Sequence, residues 1–400
     1  MKFIKGIIKV LFVPIWVLLV AVVVTSVSPV YNPHIPTPFS GPDIFNPYRN
    51  IDTVTGWKRA NFHTHTRVDG IFNECDHTPA QTLEYYNRLG YDIVTFSNHN
   101  ALTTHPTDST LQVELLYEHG YNLFKFHKLV FGSKSVMRFD HLLPLFTFQK
   151  QFQLELLNKQ CDIVVLNHPL RTTTLGKSSS TMSRLTGYQI IELDSGKSVE
   201  NRYWDSALSA GIYSFGLAND DLHTPDRTKA IAIRSNFIST PSARYTDIRK
   251  ALLEGCYYSM RTPDYGAGDW QTKIDKNRVI PTIKNIGLCD RSPFITLSQT
   301  ADSIKVIGQN HSTLAVAYNT DSLAYAMADS DPYCRFTAYF AGGEVIYTNP
   351  FARYDSRVAQ SPFGTTNRGV NILFTILFNV TLLLLLAALV KVAYKTLIKW

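Results

Sequence analysis

The chain has 400 residues, long enough for more than one domain, and its shares of 45% apolar and 18% charged residues suit a globular protein carrying greasy segments. Its net charge of +7 comes partly from lysines flanking two apolar ends, with no basic stripe interleaved with aromatics, so no nucleic-acid signature is present. Five scattered cysteines form no CxxC, which argues against a zinc ribbon or a redox pair; Cys289 and Cys334 fall close enough to share a domain, and their pairing stays open.

The N-terminus reads "MKFIKGIIKVLFVPIWVLLVAVVVTSVSPV". Val10 to Pro33 carries no charge, a run able to cross about 30 Å of hydrocarbon at about 1.5 Å per residue. A cleaved signal peptide shares this pattern, but "VTSVS" is a poor cleavage site, so residues 1–30 read as an uncleaved anchor. Residues 31–57 are rich in Pro, Asn and Gly and read as an extended linker. Over 58–270, amphipathic stretches precede short apolar runs: "PAQTLEYYNRLG" before "YDIVTFSNHN", "QKQFQLELLNKQ" before "CDIVVLNHP", and "YWDSALSAG" before "YSFGLANDDLH". Gly90 and Gly211 stand where helix C-caps belong. Helix, glycine, strand and polar tip form the rhythm of a parallel barrel or a doubly wound sheet.

Residues 275–355 alternate apolar and polar positions with turns such as "AGGE", the pattern of a small antiparallel, sandwich-like β domain. Residues 369–392 hold "GVNILFTILFNVTLLLLLAALV", a second apolar span, followed by Lys395 and Lys399 and containing Lys391 near its end. Lys2, Lys5 and Lys9 precede the first span, so the basic flanks put both termini in the cytoplasm and residues 35–367 on the extracytoplasmic, periplasmic side.

"NFHTHTRVDG" places His63 and His65 on alternate positions. His99, His168 and His223 also fall at or just past the ends of apolar strands, where α/β folds gather their active sites. With Asp69, Glu118, His127 and Asp221 the candidates number nine, too many for one tetrahedral site. A bridging carboxylate lets them hold two or three ions, and imidazole with carboxylate suits zinc, manganese or iron. His105, His119, His141 and Glu192 read as supporting or structural, Asp220 as orienting its loop, and His34 and His311 as ordinary. Arg171 and Arg227 follow two ligand motifs and are candidate partners of an anionic substrate.

This set resembles the PHP (polymerase and histidinol phosphatase) family, over roughly residues 58–265. The resemblance rests on the HxH of "NFHTHTRVDG", the histidine of "IVTFSNHN", the Glu and His of "YEHGYNLFKFHKLVFG", the histidine of "LNHP" and the DxH of "GLANDDLH". It implies an α/β architecture, a distorted (β/α)7 barrel with a trinuclear centre, which the β domain follows and the two apolar spans, read as transmembrane helices, flank. It further implies that His63, His65 and Asp221 bind one ion, bridged by Glu118 to a second held by His127 and His168, while Asp69, His99 and His223 bind a third. The sequence departs from the family in having Asn98 before His99, and in the placing of Asp69, for which Asp76 or His77 are alternatives.

The implied function is metal-dependent hydrolysis of a small phosphate ester, with Asp221 and His223 in catalytic roles and two transmembrane segments in a bilayer. The β domain resembles the accessory domain of a branch that also hydrolyses carboxylic and carbamic esters, the alternative enzyme reading. A non-catalytic, metal-stabilised binding module is the alternative from another class.

Overall fold

The computed structural model describes residues 2–52, 56–69, 73–103, 116–169, 179–195, 198–199, 201–223, 233–263, 280–364 and 368–397. Its first helix, α1 (Lys2–Thr25), leads into an extended segment and a short strand, β1 (Asp43–Phe45).

Seven strands then close on one another: β2 (Trp57–Asn61), β3 (Ile93–Val94), β4 (Leu116–His119), β5 (Lys128–Phe131), β6 (Ile163–Leu166), β7 (Ile190–Ser195) and, after the two-residue β8 (Ser198–Val199), β9 (Phe215–Asn219). β2 pairs in parallel with β3, and a parallel bridge between His99 and Glu118 carries the order on to β4. β5 runs antiparallel to both β4 and β6, whereas β6, β7 and β9 are mutually parallel. A parallel bridge between Thr64 and Leu222 returns to the extension of β2. The mixed α/β ring is therefore distorted by one reversed strand. Its interior and wall bury Phe62, Leu129, Phe131, Val165, Ile190, Trp204 and Leu217.

The helices sit where local chemistry starts and stops them. For α2 (Pro79–Arg88), the Thr78 hydroxyl accepts from the Gln81 amide at 3.3 Å, the Gln81 side chain accepts from the Thr78 amide at 2.9 Å, and Pro79 fixes the first turn. α3 (Thr147–Asn158) and α5 (Asn201–Ser209) flank the ring, with the short α4 (Ser179–Met182) between them. α6 (Tyr245–Glu254) ends at Gly255, whose φ of +79° only glycine adopts without strain.

The antiparallel region of 275–355 is continuous with the ring's own sheet. β10 (Arg234–Ser239) pairs with both β2 and β11 (Tyr257–Arg261), and β11 pairs with β16 (Val345–Thr348). Beyond β16 lie β15 (Tyr333–Tyr339), β17 (Phe351–Tyr354) and β1. The long β13 (Ser292–Gly308) pairs with β12 (Ile283–Cys289), β14 (Ser312–Ala324) and β15. Cys289 and Cys334 are not joined; all five cysteines are free.

Of the two membrane helices expected, one has the length and composition to cross a bilayer. Among the described residues only α7 (Ile372–Leu397) is long and apolar enough to cross a bilayer. The charge-free run from Val10 continues α1 as far as Thr25, and Ser26 to Pro33, which carries Pro29 and Pro33, lies outside the helix. α1 lies antiparallel beside α7, with Trp16 Nε1 donating to the Leu389 carbonyl at 3.0 Å and the Asn379 amide to the Ser28 carbonyl at 2.9 Å.

Candidate metal centre

Past Asn61 the β2 chain stays extended, so Phe62 points into the apolar core while His63 and His65 share the other face. Phe62 stacks edge-on against Phe131 at 5.6 Å, and His65 N donates to the Leu222 carbonyl at 2.7 Å, fixing the segment against the chain beyond β9. All of His63, His65, Glu118, His168 and Asp221 are buried.

Glu118, on β4, is the hub. Its Oε2 lies 3.3 Å from His63 Nε2, 3.3 Å from His65 Nε2 and 3.2 Å from His99 Nε2. Its Oε1 lies 3.1 Å from His127 Nδ1 and 3.3 Å from His168 Nε2, and accepts from Asn167 Nδ2 at 2.8 Å. Asp221 Oδ1 completes the inner group, 3.1 Å from His63 Nε2 and 3.4 Å from His65 Nε2. Five imidazoles from four parts of the chain thus meet one carboxylate.

Glu192, on β7, sits behind this group. Its Oε1 is 2.7 Å from His63 Nδ1 and accepts from Asn219 Nδ2 at 3.0 Å, while Oε2 accepts from the His168 amide at 3.0 Å. A carboxylate on Nδ1 holds the proton there and turns the Nε2 lone pair of His63 toward Glu118 and Asp221.

At the open edge, Glu74 Oε2 lies 2.9 Å from His99 Nε2 and 3.0 Å from His223 Nε2. Asp69, expected here, is exposed and stands apart from the group; Glu74, five residues on, occupies the place. Asp76 is also exposed, and His77 stacks on Tyr85 at 5.2 Å. Glu74 itself lies outside helix and strand, where periodicity gives no register, so no sequence signal singled it out. Asn98 explains its own departure from the family pattern: it accepts from the Thr66 amide at 2.7 Å and donates to the hydroxyls of Thr66 and Thr103, clamping two loops. His119 turns away, its Nε2 on the Phe139 carbonyl at 3.0 Å, and burial holds it down to about 3. Asp220 accepts from Tyr86 Oη and the Arg234 amide, orienting its loop as expected. Arg171, Arg227 and His105 lie outside the described residues.

The residues fit divalent cations. His63, His65, Glu118 and Asp221 each offer a ligand atom, all within 4.8 Å of one another, close to twice a metal–ligand distance of about 2.0–2.2 Å. Two further such groups share these residues: His65, Glu74 and His99, and His99, Glu118 and His127. Nε2 of His63 and of His65 are buried and make no hydrogen bond, an arrangement that costs free energy unless a cation takes their lone pairs. Without ions, burial works against charge on both Glu118 and His63. The imidazoles of His99, His63 and His127 nonetheless hold Glu118 well below the usual carboxylate range, and Glu192, Asp221 and Glu118 hold His63 well above its own. Two members, His168 at φ 27° and Asp221 at φ 50°, sit in the left-handed region, conformations that persist only where surrounding structure enforces them.

No family model matches the chain, and no curated protein matches it. Among solved structures it is similar to a two-domain protein from Bacteroides vulgatus described as containing a "predicted PHP-like metal-dependent phosphoesterase", at 12% identity and a TM-score of 0.38, over 78% of this chain and 98% of that one.

Proposed function

We propose that the protein is a metal-dependent hydrolase of phosphate esters, held at a membrane by α7. The observation that carries this reading is the convergence of five imidazoles on the buried Glu118 carboxylate, beside Asp221. The sequence motifs and the seven-membered ring support membership of the PHP family, with residues 58–270 as the hydrolase unit. His63, His65, Glu118 and Asp221 would hold one ion, Glu118, His127 and His168 a second, and Glu74, His99 and His223 a third. Zinc, manganese and iron all suit this donor set.

Divalent ions there would lower the pKa of bound water toward neutrality and neutralise charge on the phosphoryl oxygens. Glu118 joins the two inner ligand sets through its two oxygens. Asp221 accepts a hydrogen bond from the attacking water and aligns it. His223, at the open edge, stands where a leaving oxygen can take a proton. Arg171 and Arg227 are proposed to pair with the anionic substrate. Lys391, Lys395 and Lys399 favour a cytoplasmic C-terminus, with the ring on the other side.

Elemental analysis of the purified protein, followed by a panel of phosphate and carboxylic esters, tests the reading. Two or three ions per chain with phosphoester turnover support it. An ion-free protein, or turnover of carboxylic esters alone, overturns it.

A further inference from the structure

The path of the chain between the ring and α7 shows at which end of the ring the helix pair departs. His63, His65, His99, Glu118, His168 and Asp221 all lie at one end of the ring. From that end the chain after Glu118 enters the 120–127 loop, which is tied to the 139–142 segment. His119 Nε2 meets the Phe139 carbonyl at 3.0 Å, Asp140 Oδ2 accepts from the Tyr121 amide at 2.6 Å, and Leu123 N donates to the Leu142 carbonyl at 3.0 Å.

That segment grips the end of α1: His141 Nδ1 meets the Thr25 carbonyl, Leu142 N donates to Thr25 Oγ1 at 3.2 Å, and Gln149 Nε2 donates to the Ser26 carbonyl at 3.2 Å. The connecting chain then runs back along α3 to the opposite end of the ring. There His34 Nε2 meets the Ala210 carbonyl at 2.7 Å, and Arg368 Nε donates to Thr186 Oγ1 at 3.1 Å, just ahead of β9 and β7 respectively. The helix pair therefore starts beside the ring and leaves it past the end that carries the cluster.

Among the described residues, the 120–127 loop and the 139–146 segment expose four large apolar side chains at this end. Leu123 is 58% exposed, Leu145 54%, Phe146 48% and Phe139 36%. Phe146 and Phe148 also pack against Phe378, with ring centroids 5.9 and 4.9 Å away. Phe378 lies six residues into α7, about 9 Å along its axis. If α7 is in hydrocarbon from its start, Phe146 lies at the depth of about 5–10 Å typical of an interfacial apolar face.

From this geometry we infer that the cluster faces the bilayer and that its substrate is a lipid phosphoester, reached with the acyl chains still in the membrane. The inference rests on the phosphoesterase reading above and names its substrate class. In the reaction a water oxygen bonds to phosphorus, the P–O bond to the lipid alcohol breaks, and the proton given up by the water passes to the departing alcohol oxygen.

The test uses the full chain in phosphatidylcholine vesicles. Phosphatidic acid and phosphatidylglycerol are compared with their soluble counterparts, glycerol phosphate and glycerophosphoglycerol. At least one lipid ester is expected to give a kcat/KM on the order of tenfold or more above its soluble counterpart. Leu145→Asp and Phe146→Asp should lower lipid turnover on the order of tenfold by weakening interfacial insertion, with turnover of a soluble aryl phosphate unchanged. Position 146 precedes the first turn of α3, where Asp is a favourable N-cap, so the second variant keeps its fold.

Placement is read independently. The emission that Leu145→Trp adds over wild type should be quenched by lipids brominated on their acyl chains. Hydrolysis of soluble esters alone, or no added quenching, overturns this inference and leaves the phosphoesterase reading standing. With ions bound, no hydrolysis of any ester overturns both.

Discussion

Glu192→Gln is the sharpest single test of how the centre is held together. Glu192 is fully buried and faces three donors: His63 Nδ1 at 2.7 Å, Asn219 Nδ2 at 3.0 Å and the His168 amide at 3.0 Å. Glutamine keeps the shape but offers one oxygen and one NH2. If the oxygen stays on His63 and Asn219, the NH2 faces the His168 N–H, donor against donor. If the amide flips, its NH2 faces His63 Nδ1 and drives the imidazole proton to Nε2, blocking the lone pair that would bind a cation.

Either way one hydrogen bond to a charged group is lost, about 1.5–3 kcal/mol. That agrees with the roughly 10–100-fold fall in metal affinity expected on removing a carboxylate behind a histidine ligand. Affinity is measured by competition with a chelating dye at fixed pH, with ion stoichiometry read alongside. A dissociation constant within about twofold of wild type at full stoichiometry would refute the argument, because a merely space-filling Glu192 loses nothing on becoming Gln.

Four further outcomes are expected. Asp221→Asn should keep most of the metal yet lose turnover on the order of 10²-fold or more, as loss of an acid–base group does, and near-wild-type rates at saturating metal would assign the role elsewhere. Glu74→Gln should lower ion content by one at the open edge while Asp69→Asn leaves it unchanged, which elemental analysis of the two proteins decides. Chelator-treated protein should lose stability as pH rises above 6.5. His63, His99 and His223 are all held above that ordinary value, so their contribution is complete below it and disappears as pH passes their folded-state values. Metal affinity should rise over the same range as those protons leave, and melting temperatures with and without chelator separate the two trends. A reporter fused after Trp400 should be active in the cytoplasm, and activity on the other side would reverse the proposed orientation.

The inner cluster was legible because its spacings are enforced by regular structure. His63 and His65 share a face through the two-residue period of extended chain, and His99, Glu118 and His168 mark strand ends. Glu74 was not legible, because it joins the cluster from an irregular segment in which sequence distance says nothing about direction. Glu192 did carry a sign, a carboxylate set between Ile191 and Leu193 in the strand "IIELDS", since a buried charge without partners is too costly to keep. The end of the first helix was not legible, because absence of charge measures hydropathy, and the charge-free run continues through Ser26 to Pro33 after α1 has ended at Thr25. The sheet continuity through β11 and β16 was invisible because strand alternation reports which face is buried and not which neighbour is hydrogen-bonded.

The pairing of β1 with β17 bears on how this chain is made. Arg353 Nη1 donates to the Gly41 carbonyl across 312 residues of sequence, and Trp16 meets Leu389 across 373. At a synthesis rate of about 5–20 residues per second, the first apolar helix and β1 wait roughly 15–75 s for their partners. During that interval an unpaired strand edge and an apolar helix face stand open, and the loop-closure cost of joining them is met only at the end. Folding of this protein should therefore be slow and finish from the C-terminus, and a ribosome stalled before β17 should hold a chain that is sensitive to protease near Gly41 until the last strand arrives.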